Sequence, residues 1–242
     1  MHRNAHILTL ILLTVAALPS QSQGIKIHMH DAGGYAADGM LYKPTGRPPF
    51  AAIVLIPDQD GISARIEESA QRFAAAGYFT VAIDPNRGMP SNSAPISEPE
   101  KRHDVESALA FIDAQTAVQK GNIAVAGWRA GGAYALQIAR EAKVKAVILQ
   151  DPNLTEGGGD GAADVPVLLS IAGNDPLVSA KSFEAIKRRL HATGPASDAK
   201  IYLDAGRGFD DPSDSVHFRA EDADDLHQRQ LQFLAKNLAI KP

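Results

Sequence analysis

Three stretches place reactive residue types at positions where a reaction could be run, and each closes a short apolar run. Val125-Ala126-Gly127-Trp128-Arg129-Ala130-Gly131-Gly132 ends one such run and passes directly into a helical pattern. Small residues at Gly127, Gly131 and Gly132 around one middle position make a sharp strand-to-helix elbow that lifts a single side chain above a sheet edge. This is the G-x-X-x-G arrangement in which X is ordinarily a nucleophilic serine or cysteine, and here X is Arg129. Ile171-Ala172-Gly173-Asn174-Asp175-Pro176 ends in an acid at a tight turn. Tyr202-Leu203-Asp204-Ala205-Gly206-Arg207-Gly208-Phe209 sets a second arginine where a general base could be held.

Acyl transfer by such a trio needs a group that can become an anionic nucleophile and a base that titrates near the working pH. Arginine supplies neither. Its pKa lies above about 12, it offers only N–H donors, and it cannot take the proton that attack would release. Asp175 alone is of the expected type. Substitutes elsewhere are few: Ser63 and Ser170 are candidate hydroxyls, and His217, just past the Arg207 loop, is the substitute base nearest in sequence. His103, His191 and His227 fall in helical patterns and are expected on solvated faces. His28 and His30 share one strand face, but two ligands without a third carboxylate or histidine at suitable spacing do not make a metal site, so neither a metal nor another cofactor is expected.

The elements that must position these residues alternate. Period-2 patterning in Ile25-Lys26-Ile27-His28-Met29-His30, followed by Gly39-Met40-Leu41-Tyr42, predicts an opening antiparallel hairpin. Continuous apolar runs then recur at residues 51–56, 78–83, 122–126, 144–149, 165–171 and 200–203 and read as buried parallel strands. Helical spacing separates them: Ile66, Ala70, Phe73 and Ala74; Val105, Ala108, Leu109 and Ile112; Tyr134 and Ile138; Phe183, Ile186 and Leu190; and Leu226, Leu231, Phe233, Leu234 and Leu238. The fold class is therefore α/β, a mostly parallel twisted sheet with helices on both faces, and ligands are expected beyond the carboxyl ends of its strands.

Composition narrows the class further. The 242 residues are 45% hydrophobic and 21% charged, without a mid-chain linker or repeat, which suits one globular core. A net charge of −4 without a basic block argues against nucleic acid as a partner. An apolar run from Ile7 to Leu18 behind His2, Arg3 and His6, then Pro19-Ser20-Gln21-Ser22, reads as a secretory signal over residues 1–22, the alternative being an uncleaved N-terminal anchor. The expectation is one domain over 23–242 in the periplasm or outside the cell, with no membrane attachment once the signal is removed. Cysteine is absent, so stability rests on the core alone. Oligomeric state is not legible.

Taken together the motifs resemble those of the dienelactone hydrolase family, within the α/β-hydrolase superfamily. Ile53-Val54-Leu55-Ile56-Pro57-Asp58-Gln59-Asp60-Gly61 resembles its first core strand and oxyanion loop, and Phe73 to Tyr78 with Ala82-Ile83-Asp84-Pro85-Asn86-Arg87 resembles the following helix, strand and loop. The elbow at 127–132, the acid turn at 173–175 and the loop at 205–209 resemble its catalytic positions. The resemblance implies an α/β-hydrolase fold with Arg129 at the nucleophile position, Arg207 at the histidine position and Asp175 as the retained acid. It also implies Asp58, Gln59, Arg87, Trp128 and Ala130 as ligand-contacting positions, Arg87 because arginines near this pocket bind the substrate carboxylate in the family.

Two readings follow from the substitutions. A cation at a helix N-terminus calls for negative charge nearby. Either the chain supplies it, with Asp58 or Asp60 meeting Arg129 and Asp175 meeting Arg207, or a small anion such as a carboxylate or phosphate does. Both describe a non-catalytic protein. The alternative is a carboxylic-ester or lactone hydrolase working through another nucleophile and base.

Overall fold

Every apolar run that the sequence marks as a strand enters one sheet. A computed structural model describes residues 22–88, 97–141, 144–153, 165–176, 183–184, 187–188 and 197–238. Residues 1–21 of the expected signal, His191, most of the Phe183 to Leu190 pattern and residues 89–96 lie outside the described residues.

The strands are β1 (Ile25–His30), β2 (Ala36–Tyr42), β3 (Phe50–Ile56), β4 (Phe79–Ile83), β5 (Val118–Trp128), β6 (Ala146–Gln150), β7 (Val167–Ala172) and β8 (Asp198–Tyr202). They lie in the order β1-β2-β4-β3-β5-β6-β7-β8. β1 and β2 form the expected antiparallel hairpin, β2 runs antiparallel to β4, and every later pairing is parallel. β5 starts earlier than the expected Asn122. Its pairing with β3 shifts register between Phe50–Val118 and Ala52–Ile123, around Gly121 at φ 68°, so a bulge splits one strand into a polar start and an apolar end.

Alternate residues of each central strand face opposite layers. Ala52, Val54 and Ile56 point to the layer made by α2 (Glu98–Asp113) and α3 (Ala130–Arg140). Ala51, Ile53 and Leu55 point to the layer made by α1 (Ala64–Ala75) and α4 (Ala220–Asn237). α2 begins where the Ser97 N–H donates to Glu100 Oε2 at 2.8 Å, and Val105, Ala108, Leu109 and Ile112 form its buried stripe. None of the described helices is long and apolar enough to cross a membrane.

α3 packs on β3 backbone to backbone. A Cβ at Gly131 would stand 2.1 Å from Ile56 O, and one at Gly127 would stand 2.4 Å from Gly131 O. Neither obstacle is a flexible side chain, so the strand end or the helix would have to shift. Gly131→Ala should therefore cost about 1–3 kcal/mol in urea unfolding, the usual range for overpacking, and unchanged stability would mean that this junction gives way freely.

Candidate functional site

Three non-glycine residues with positive φ among the described residues stand past the ends of β4, β5 and β6: Arg87 at 51°, Arg129 at 50° and Asp151 at 43°. Such backbone costs of order 1–3 kcal/mol and persists where its surroundings dictate it. At Arg129 they do. Its N–H donates to Gln150 O at 3.0 Å, and its carbonyl accepts from Gly132 N at 3.1 Å and Asn153 N at 3.0 Å. The strained elbow is thus intact, with an arginine on it.

Both arginines at the expected reaction positions have partners within the chain. Arg129 Nη1 lies 3.4 Å from Asp58 Oδ2 and 3.8 Å from Asp60 Oδ2. Arg207 Nε lies 3.4 Å from Asp175 Oδ2, while its Nη2 donates to Asp151 O at 3.3 Å and to Asn153 Oδ1. Arg129 also reaches the Arg207 loop, for a Cβ added at Gly208 would sit 3.5 Å from Arg129 Nη2. Asp175 is buried, and both guanidinium side chains are 23% exposed. The neighbouring Asp151 carboxyl is pushed up to about 6 by burial, opposed by a 2.6 Å hydrogen bond from Ala172 N.

The Arg207 loop is anchored beneath. Tyr202, Ala205, Phe209 and Leu226 form a small buried cluster with Ala172. Arg65 of α1 meets Asp210 at 3.7 Å, with side chains only 4% and 7% exposed. Burial holds the Asp210 carboxyl above its ordinary range, against the opposing pull of Arg65.

Beside the arginines lies a half-open cavity of about 50 Å³, lined by Ile56, Pro57, Asp58, Gln59, Ile83, Pro85, Lys101, Asp104, Val105, Ala130, Gly131 and Tyr134. Three of the ligand-contacting positions that the resemblance implies, Asp58, Gln59 and Ala130, therefore share one wall. Two do not join them. Trp128 is 1% exposed and packs in the core on the α1 and α4 side, because the last residue of a strand points opposite to the elbow side chain that follows it. Arg87 does not line the cavity and turns to Tyr35 Oη and to two carboxylates of α2, Glu100 Oε1 at 3.7 Å and Asp104 Oδ1 at 3.5 Å.

The residue that sequence reasoning missed is Asp104. It is 2% exposed, and neither carboxylate oxygen has a hydrogen-bond partner among the described residues. The signal was present: Asp104 stands four residues before Ala108 and eight before Ile112, a charge on the apolar stripe of α2. Burial pushes its carboxyl up to about 7; Arg87 opposes this, and Glu100, Asp38 and Asp84 add to it. A raised acid keeps its proton longer in the folded chain, so this group's contribution to stability is full below about pH 4 and is lost as pH rises through 7. Asp104→Asn should accordingly gain about 1–3 kcal/mol over the parent at pH 8 and little at pH 4.5, read from paired urea melts. A gain equal at both pH values would contradict a buried charge.

The remaining candidates fall elsewhere. Ser63 Oγ and Ser170 Oγ are buried without a hydrogen-bond partner among the described residues, and Ser170 lies inside β7. His217 is exposed and pairs with Asp214 at 2.7 Å. His103 and His227 are not simply solvated as expected. His103 stacks on Tyr35 and meets Asp31 Oδ2 at 2.8 Å, and His227 packs on Phe73, burial lowering it to about 4. Asp31, His103 and Glu106 bring ligand-type atoms within 4.8 Å of one another, but Asp31 Oδ1 already accepts from Gly33 N and Tyr35 N, and Glu106 Oε1 from Arg102 Nε.

A family model described as the dienelactone hydrolase family matches residues 37–238. A probable 2-oxo-3-(5-oxofuran-2-ylidene)propanoate lactonase of Bradyrhizobium sp is 25% identical over 199 residues, covering 72% of this chain and 77% of the relative. Cutinase 2 of Thermobifida cellulosilytica is 25% identical over 204 residues, covering 79% and 73%. Among solved structures, a dienelactone hydrolase-like promiscuous phosphotriesterase from metagenomic libraries superposes with a TM-score of 0.75 at 19% identity, over 90% of this chain and 99% of that one. A putative dienelactone hydrolase from Klebsiella pneumoniae gives 0.71 at 17%, over 88% and 99%.

Proposed function

This chain belongs to the dienelactone hydrolase family, and from that premise we propose that it is a member that has kept the fold and given up the hydrolytic reaction, serving as a small-molecule-binding protein. The observation that carries the reading is the pair of arginines at the nucleophile and histidine positions, each ion-paired within the chain. Several relatives are named as hydrolases, and a permanently protonated guanidinium cannot take the roles that such chemistry requires at these positions. The charges also favour internal neutralisation over an anionic ligand, since two cations meet three carboxylates: Asp58, Asp60 and Asp175. Residues 1–22 are read as an export signal, which puts the working protein in the periplasm or outside the cell.

Covalent trapping tests the reading. A phosphotriester such as paraoxon leaves a stable diethylphosphoryl group on an activated serine, so intact-mass spectrometry of the exposed protein should show no stoichiometric adduct. One adduct per chain on the peptide carrying Ser63 or Ser170 would establish an alternative nucleophile and overturn it.

A further inference from the structure

The cavity beside the ion-paired arginines differs from them in polarity. Its floor and sides are apolar, from Ile56, Pro57, Ile83, Pro85 and Val105, and Asp104 contributes a carboxylate that is 2% exposed with both oxygens unserved among the described residues. A buried acceptor left this way costs about 1–3 kcal/mol until something donates to it. Arg87 lies close, yet at 3.5 Å it forms an ion pair without completing a hydrogen bond. The charges around the group favour a donor over an acceptor: Asp58 shares the cavity wall, and Glu100, Asp38 and Asp84 all act on Asp104 in the same direction. Lys101 and Arg87 are the nearby cations. Lys101 lines the cavity with its Nζ 5.5 Å from the Tyr134 ring centre and Arg87 is shared with Glu100, so the carboxylates around Asp104 outnumber the cations.

We propose that this cavity is a binding site for a small, largely apolar molecule that presents a hydrogen-bond donor, a hydroxyl or an amine, to Asp104. A volume of about 50 Å³ admits the donor head and a short apolar chain and leaves a longer body to extend through the open side. The inference rests on the non-hydrolysing reading and specifies the ligand that such a member would hold.

A matched series tests it: isobutanol, isobutylamine and isobutyrate share one carbon skeleton and differ in the head group. Titrated into the full chain at pH 7.5 and followed by protein-observed NMR, the alcohol, the amine or both should bind at least about ten times more tightly than isobutyrate, with shifts at Val105 and Tyr134. A preference for one of the two identifies the head group. Asp104→Leu should reduce the ratio of donor to carboxylate affinity to near one. If that variant fails to fold, Asp104→Asn, which keeps an acceptor but not the charge, should retain the alcohol and lose any preference for the amine. Equal binding of isobutyrate, an unchanged ratio in the variants, or no binding of any probe would overturn the inference; the last outcome would mean that water satisfies Asp104. Isobutyl acetate in a parallel sample separates the two claims, because its turnover to isobutanol would defeat the non-hydrolysing reading whatever the binding data show.

Discussion

Asp210→Ala is expected to cost about 3–5 kcal/mol, the range for removing one partner of a buried ion pair. Asp210 lies under the Arg207 loop, and its deletion leaves the Arg65 guanidinium, only 4% exposed, with its nearest ion-pair partner gone. The loop is also held by the small cluster of Tyr202, Ala205 and Phe209 and by the contacts of Arg207 with Asp175, Asp151 and Asn153. Replacing both members with apolar residues of similar size, Arg65→Met with Asp210→Leu, should restore most of the loss, because the penalty comes from an uncompensated charge more than from a missing attraction. Urea melts of the parent, the single and the double variant decide this. A single variant within about 1 kcal/mol of the parent would show that water reaches Arg65.

The second large effect is a gain. Arg129→Ser combined with Arg207→His should raise p-nitrophenyl acetate hydrolysis by at least about 10²-fold over the parent, while each single change does nearly nothing, since residues of such a trio act as a unit. The scaffold is prepared for it. The elbow keeps φ 50° and ψ −112°, its backbone hydrogen bonds tie it to β6 and α3, and Asp175 is buried where it meets residue 207. A double variant that folds and shows no gain would mean that the oxyanion loop, with Asp58 and Asp60 released from Arg129, no longer supports the reaction.

Much of this was legible beforehand because its causes are local. Apolar runs such as Ala51 to Ile56 can be buried on both faces only in a covered parallel sheet, and Gly127, Gly131 and Gly132 fit a junction where a Cβ would strike backbone. The chemistry of Arg129 and Arg207 follows from residue type alone. What escaped depends on direction in three dimensions. Trp128 precedes the elbow residue and therefore points into the opposite layer, which a motif written as a string does not display. Arg87 has three alternative partners on α2 and the β1–β2 connection, distant in sequence, and those decide where it turns. Asp104 could have been noticed on the apolar stripe, but whether an acid there is paired or bare depends on what packs over it.

The measurement that bears most directly on the proposed loss of hydrolysis is steady-state release of p-nitrophenol from p-nitrophenyl acetate by the purified parent, beside Arg129→Ala and Asp175→Asn. The expected result is that all three release it at one common rate, that of a non-catalytic protein surface. Multiple turnovers by the parent that vanish in Asp175→Asn would contradict it.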